Sequence, residues 1–493
     1  MKTKLRSHKR DSFALLAILL LLAGTARSLP RLPRPRPSRP RPTSQQMLIA
    51  SDLHFNPFAD PTLAADLAKA PVHKWEAILS RPSSTAYSPY GQDTNWWLLQ
   101  SALDAMRKAE SHPSLVMITG DLLAHGFPQK YAQAIPDTNR DHYRAFVAKT
   151  VSFIALELRK RYSKPQILLT PGNNDDDCGD YNIEAGGTFL SDTARTIRSL
   201  ARASGRFTGE WKSLGSFTLQ PRDIRGLRIV SVNSVFFSNK YQSVSFAGGC
   251  ASVQSDGPAR TFSWLESTLS RAAQNREKVW IMLHIPPGID AYSTMVSYRS
   301  LSQAASSAPR DLCSQAIVPM WKPFWTDLFA RLIAQYPTTI TAIFAGHDHT
   351  DDFRVIHAGQ AGQQFVLIDP PVSPIYGQNP AFRVVTFAAG GALSDQTTWY
   401  LTNLEAARTT VPGTWMPEYT FASEWHSPRL DAASLNSIYD QIRSDPDAGQ
   451  RWLTLLNVSS TYHPVPANGV RTLECAIAAL DPAAYKACYC PAP

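Results

Sequence analysis

Long apolar runs are missing from the 493 residues; the longest, Phe13 to Ala23, is eleven residues, too short to span a bilayer comfortably. No segment repeats at a fixed period, which sets aside solenoids and propellers. Only six cysteines occur, Cys178, Cys250, Cys313, Cys475, Cys488 and Cys490, and none stands at zinc-finger spacing with nearby histidines. A Cys-rich metal site is therefore excluded. Charge is also missing where a nucleic-acid surface would need it. The formal net charge is +9, but residues 1–42 hold eleven Lys and Arg against Asp11 alone, a surplus of ten, so residues 43–493 carry −1. A near-neutral body offers no evident surface for nucleic acid.

The first residues show the order of a secretory signal: a basic start from Met1 to Arg10, the apolar run, then Gly24, Thr25 and Ala26. Residues 1–28 are expected to form a signal peptide, or an anchor if uncleaved, and to place the protein outside the cytoplasm, secreted or periplasmic. Residues 29–45 alternate Pro and Arg and should be an extended, solvated linker with at most transient contact with an anionic membrane surface. An even number of cysteines in an exported chain favours disulfides. The expected pairs are Cys250 with Cys313 and Cys475 with Cys488, the second bracketing one short helical segment; Cys490 could take the place of Cys488.

From Gln46 onward, short apolar strands alternate with helical segments. Strands are expected at Met47–Ala50, Leu115–Thr119, Gln166–Thr170, Lys278–Leu283 and Thr339–Ala345, and helices at Asn95–Glu110, Arg140–Tyr162, Ala259–Ala273 and Met320–Gln335. Ser216–Gln220 and Leu227–Val232 read as an antiparallel pair. Gln364–Ile368, Phe382–Phe387 and Thr398–Leu401 read as strands that close a sheet. Beyond about Tyr419 the pattern is helical, with segments at Asp431–Arg443 and Arg451–Leu456. The pattern predicts an α/β fold, a two-sheet β-sandwich flanked by helices, spanning 46–405, with a mostly helical C-terminal subdomain at 406–493.

The strand ends carry the chemistry. Asp52 and His54 follow the first strand, Asp121 the second, Asn173 the third, His284 a later one, and His347 and His349 follow Ala345-Gly346. If the chain stays extended there, His347 and His349 share one side and Asp348 points to the other. Imidazole, carboxylate and carboxamide suit divalent cations, and two such ions need a shared carboxylate. Asp121 is the candidate bridge, with Asp52, His54 and His349 on one ion and Asn173, His284 and His347 on the other. Each piece alone is ordinary; their order along one sheet is not.

That order, D-x-H, G-D, G-N, a lone H and G-H-x-H, resembles the calcineurin-like metallophosphoesterases. Within them, His125 four residues after Asp121, His284-Ile285-Pro286-Pro287-Gly288 and the tail from Trp399 to Cys488 look most like the acid sphingomyelinase-like phosphodiesterases. The resemblance implies two divalent metal ions, zinc in preference to iron or manganese, and hydrolysis of a phosphate ester by in-line attack of metal-bound hydroxide. It implies a place for His125 beside the scissile phosphate as donor to the leaving oxygen. Where the family has Gly-Asn-His and an acid, this chain has Gly172-Asn173-Asn174-Asp175. Asn174 cannot donate a proton near neutral pH, so it is expected only to position phosphate, and Asp175 to orient a ligand from behind. Asp348 and His357 read as structural. The expected activity is a phosphodiesterase acting on a phospholipid head group such as sphingomyelin or on nucleotide-type esters, working as a monomer. The alternative is a phosphoanhydride hydrolase of polyphosphate or nucleoside triphosphates, which Asn174 favours. A non-catalytic binding protein of this fold is disfavoured because all seven expected ligands are present.

Overall fold

The computed structural model describes residues 44–82, 84–241, 256–304, 312–357, 363–409, 411–462, 465 and 469–490. The expected signal peptide, most of the linker and Cys250 lie outside the described residues. Thr43–Pro493 forms one compact unit. Among the described residues, no helix is long and apolar enough to cross a membrane.

The described strands are β1 (Ser44–Ala50), β2 (Leu115–Ile118), β3 (Gln166–Leu169), β4 (Phe217–Leu219), β5 (Leu227–Ser231), β6 (Lys278–Met282), β7 (Ile340–Ala345), β8 (Asp352–His357), β9 (Gln363–Ile368), β10 (Ala381–Ala388), β11 (Leu393–Leu401) and β12 (Trp415–Thr420). They make two six-stranded mixed sheets, ordered β12-β11-β10-β1-β2-β3 and β4-β5-β6-β7-β9-β8. β1, β2 and β3 run parallel, with Ile49 beside Met117 and Met117 beside Leu168. Parallel neighbours need long crossovers, here the helices Trp96–Ala109 and Arg140–Arg161. Both begin on an asparagine: the side chain of Asn95 accepts from the amide of Leu98, and that of Asn139 from the amide of Asp141. In the other sheet β5, β6, β7 and β9 are parallel, edged by antiparallel β4 and β8.

The sheets stack face to face. Trp280 of β6 meets Phe387 of β10 edge-on with ring centroids 4.9 Å apart, and its indole donates to the carbonyl of Gly391 at 2.7 Å. Removing such a ring costs about 3–5 kcal/mol. Arg383 of β10, fully buried, crosses the same interface to Asp369 at 2.9 Å and to Asp351. The carboxyl ends of the parallel strands of both sheets consequently open on one edge, where ligands gather in such folds.

Several sequence expectations change. β1 starts at Ser44, so Ser44 and Gln45 are strand and not linker. β8, β12 and the helices Thr188–Ala201 and Gly205–Leu214 occupy stretches left unassigned. The helix expected from Arg451 begins at Pro446, capped by Asp445. Cys475 does pair with Cys488, but Cys313 pairs with Cys490, which rules out the expected Cys250–Cys313 bond. The last helix, Pro482–Tyr489, brings Cys490 within 5.8 Å of Cys313, Cα to Cα. The triplet Asn457-Val458-Ser459, a glycosylation pattern by sequence, is folded inward: Asn457 is buried and donates to the carbonyl of Ser460.

Candidate metal centre

The loops that leave β1, β2, β3, β6 and β7 converge on one point. Five of the expected ligands there have left-handed backbones: Asp52 (φ 50°), His54 (39°), Asp121 (52°), His347 (73°) and His349 (54°). Each such non-glycine residue costs roughly 1–3 kcal/mol, so the surrounding contacts must enforce it. This corrects the expectation of alternation past Ala345. β7 ends at Ala345, and His347 and His349 are delivered by two left-handed turns and not by extended chain. Asp348 pairs with buried Arg354 at 2.7 Å, consistent with a structural part. His357 stands exposed at the end of β8.

Close approach explains two of the glycines. A Cβ on Gly346 would overlap Ser51 Oγ and crowd Asp52, and one on Gly172 would overlap Asp121. The chain crosses itself at these points with no room for a side chain.

The side chains fall into two groups. Asp52, His54 and His349 each offer a donor atom within 4.8 Å of the others, and so do Asp121, His284 and His347. Asp121 lies between the groups, its Oδ2 3.5 Å from His54 Nε2 and 3.3 Å from His284 Nε2. Asn173 joins the second group, its Oδ1 3.1 Å from His284 Nε2. Asp52 Oδ1 is 3.3 Å from His349 Nε2 and 3.6 Å from His54 Nε2, buried and with no hydrogen-bond partner. The structure therefore brings all seven expected ligands together.

Outer contacts fix them. His54 Nδ1 faces the carbonyl of Leu123 at 3.0 Å, and His284 Nδ1 that of Thr119 at 2.7 Å. Each Nε2 is thereby the nitrogen turned to the centre. Asp175 is fully buried and accepts from the amides of Leu122, Leu123 and Gly172 at 2.8–3.1 Å, lacing the loop after β2 to the loop after β3. Burial first, then the charge of Asp121, pushes its carboxyl up to about 6. Asn174, expected to position phosphate, donates from its side chain to Asp121 Oδ2 at 2.9 Å.

The electrostatics favour bound cations. Burial works against charge on Asp52 and Asp121, yet the facing imidazoles hold both carboxyls well below the usual range. Burial likewise opposes charge on His54 and His284, and Asp121 with Asp52 outweighs it, raising them to about 9 and 10. His347 is driven down to about 3 by burial and by His284. Paired anionic oxygens, a buried orphan at Asp52 Oδ1 and four inward imidazoles fit two divalent cations.

Three further residues were not foreseen. Asp93 Oδ1 accepts from His125 Nδ1 at 2.8 Å and Oδ2 from Lys130 at 2.6 Å, while the His125 ring stacks on His54 with centroids 4.1 Å apart. Burial opposes ionisation of Asp93, but the bond to His125 and the charge of His54 bring it down to about 2. Tyr376 places its hydroxyl 3.2 Å from His125 Nε2 and its ring edge-on to His349. Asp180 accepts from Asn173 Nδ2 at 2.6 Å. Asp93 sits in the long polar insertion after β1, Asp180 in an acidic loop and Tyr376 in a Pro-rich loop after β9, where no periodicity marks them. Beside the centre is a cavity of about 740 Å³, walled in part by Asp180, Tyr181, Lys240, Tyr292 and Tyr376.

Comparison with known proteins agrees with this geometry. Residues 46–351 match the family model described as calcineurin-like phosphoesterase. The chain is 28% identical over 381 residues to sphingomyelinase phosphodiesterase D of Dictyostelium discoideum, covering 74% of each chain. It is 23% identical to the mouse cyclic GMP-AMP phosphodiesterase SMPDL3A over 97% of its own length and 98% of the relative's. Mouse acid sphingomyelinase-like phosphodiesterase 3b is 23% identical over 84% and 82%. A match over more than half the chain, with two ligand groups at the strand ends, makes this a metal-dependent phosphodiesterase that belongs to the calcineurin-like phosphoesterase family.

Proposed function

We propose that the chain hydrolyses phosphodiesters, with the scissile phosphate seated over Asp121 and the leaving group turned toward His125. The observation that carries this reading is the placing of one shared carboxylate between two ligand groups, with a tethered histidine stacked on one of them. Asp52, His54 and His349 would hold one cation and Asn173, His284 and His347 the other, with Asp121 common to both. Bound there, two cations lower the pKa of a water and draw charge from the phosphoryl oxygens. Four imidazoles favour zinc in that place.

The chain's own residues supply the rest. Asp93 accepts a hydrogen bond from His125 Nδ1, and Lys130 donates to the other oxygen of Asp93, so the ring is held in one orientation. Nε2 is then the atom that gives its proton to the leaving oxygen, and Tyr376 marks that oxygen's place. Tyr181, Tyr292 and Tyr376 give the cavity aromatic walls for the rest of the substrate.

A phospholipid head group or a nucleotide-type ester fits this cavity better than a phosphoanhydride chain. Polyphosphate needs several cations along its length, and among the described residues of the wall Lys240 is the one lysine or arginine. The Asn174 that favoured phosphoanhydrides gives its side-chain amide to Asp121. The disulfides Cys313–Cys490 and Cys475–Cys488 support export, since such bonds persist in oxidising compartments. The test is a substrate panel with zinc supplied: sphingomyelin, a cyclic dinucleotide, bis-p-nitrophenyl phosphate and long-chain polyphosphate. Turnover of the diesters that a chelator abolishes is the expected result. Polyphosphate cleaved faster than every diester would overturn it.

A further inference from the structure

Asn174 follows the expected ligand Asn173, and its side chain reaches the candidate bridge Asp121. Both oxygens of Asp121 are taken by this one residue: the backbone amide of Asn174 donates to Oδ1 at 2.8 Å and its Nδ2 to Oδ2 at 2.9 Å. Asn174 is 4% exposed, and the loop that carries it is pinned by the Asp175 carboxylate. Two donors on one residue fix the plane of the Asp121 carboxylate. The free direction of Oδ2 then falls between His54 Nε2 and His284 Nε2. An unrestrained carboxylate on a left-handed residue would rotate about its last bond and present its oxygens to one group at a time.

We infer that Asn174 is a positioning residue for the bridging aspartate, and that it sets how tightly the centre holds its cations without touching substrate. The inference rests on the proposed role of Asp121 as shared ligand. It also has a consequence for the reaction. An amide committed to Asp121 is not available to hydrogen-bond the phosphate.

The experiment is zinc competition against a chromophoric chelator for the full-length protein, Asn174→Ala and Asn174→Asp, followed by steady-state kinetics at saturating zinc. Both variants are expected to hold zinc about 10–100-fold more weakly, the usual cost of losing a group that orients a metal ligand. At saturating zinc, KM and inhibition by inorganic phosphate should match wild type. The melting temperature of the zinc-free variants should also match wild type. Zinc held as tightly as in wild type, with a raised KM or weaker phosphate inhibition, would show that Asn174 acts on substrate and would overturn the inference. An equal loss of stability with and without zinc would reduce it to a packing residue, which also overturns it. Failure of the wild-type protein itself to take up zinc, manganese or iron would instead sink the metal centre proposed above.

Discussion

The two ligand groups are built differently. Asp52, His54 and His349 are held mainly by backbone and by a chain neighbour: left-handed turns, the Leu123 carbonyl on His54, the amide of His347 on Asp52 at 3.1 Å and the Ser51 hydroxyl on the same oxygen. His349 Nδ1 and Asp52 Oδ1 have no hydrogen-bond partner among the described residues. In the second group, side chains that are not expected ligands do much of the holding. Asn174 clasps Asp121, Asp180 clasps Asn173, and the Tyr181 hydroxyl stands 3.4 Å from His347 Nε2. A site held by backbone shape changes only when the turn itself changes. One held by neighbouring side chains can be retuned by single substitutions that touch neither metal nor substrate. The first group also meets His125, whose ring stacks on His54, whereas the second borders the wall with Asp180 and Tyr181.

The largest effect should come from removing what the groups share. Asp121→Ala is expected to lower kcat/KM by at least about 10³-fold, more than the loss of a single stabilising donor, because both groups lose a ligand. Metal analysis should show less than one ion per chain. Two ions retained at wild-type affinity would mean that Asp121 is not common to the groups. The next effect separates the sides. His125→Ala should cost about 10²-fold or more on esters with poor leaving groups and much less on nitrophenyl esters, with metal content unchanged. An equal loss on both would remove the acid from the first side. A third change addresses the second side alone. Asp180→Ala frees the Asn173 amide to turn, so one of two zinc ions should bind about 10-fold more weakly while the other is unaffected. Equal weakening of both would show that the groups are one rigid unit.

How much of this could be read from the chain varies with the kind of residue. The seven expected ligands were legible because each follows a short apolar strand, and strand ends in an α/β sheet meet in space. Extended alternation nevertheless fails at His347 and His349. Nothing in Gly-His-Asp-His announces that both histidines take positive φ, or that Ser51 and Asp52, nearly three hundred residues away, close on Gly346. Asp93 was illegible for a similar reason. It has no periodic context, and it meets His125 across a sequence separation of 32. Asn174 was visible as a departure from the family pattern, but its direction was not, because a carboxamide serves a phosphate and a carboxylate equally well until the neighbours are known. Cys313 and Cys490, 177 residues apart, were beyond spacing arguments altogether.

The smallest effect concerns what both groups rest on. Behind them runs a buried strut in which Arg383 joins Asp369 and Asp351, Thr398 and Tyr419 bond Asp351, and Glu418 takes the hydroxyl of Ser459. Burial pushes Asp369 up to about 7, against the pull of Arg383, and burial with the charge of Asp351 pushes Glu418 up to about 8. In the unfolded chain both carboxyls titrate near pH 4. Between about pH 4 and pH 8 these two groups thus hold protons in the folded state that the unfolded state has released, and their contribution to stability falls as pH rises through that window. The melting temperature of the metal-free protein should drop by roughly a few degrees from pH 5 to pH 8. Glu418→Gln should flatten the upper part of that slope, since a carboxamide has no proton to lose. If the groups share this support, the cooperative transition stays single at every pH. Two transitions, with zinc raising only one, would show that the backbone-held and side-chain-held groups stand on separate foundations.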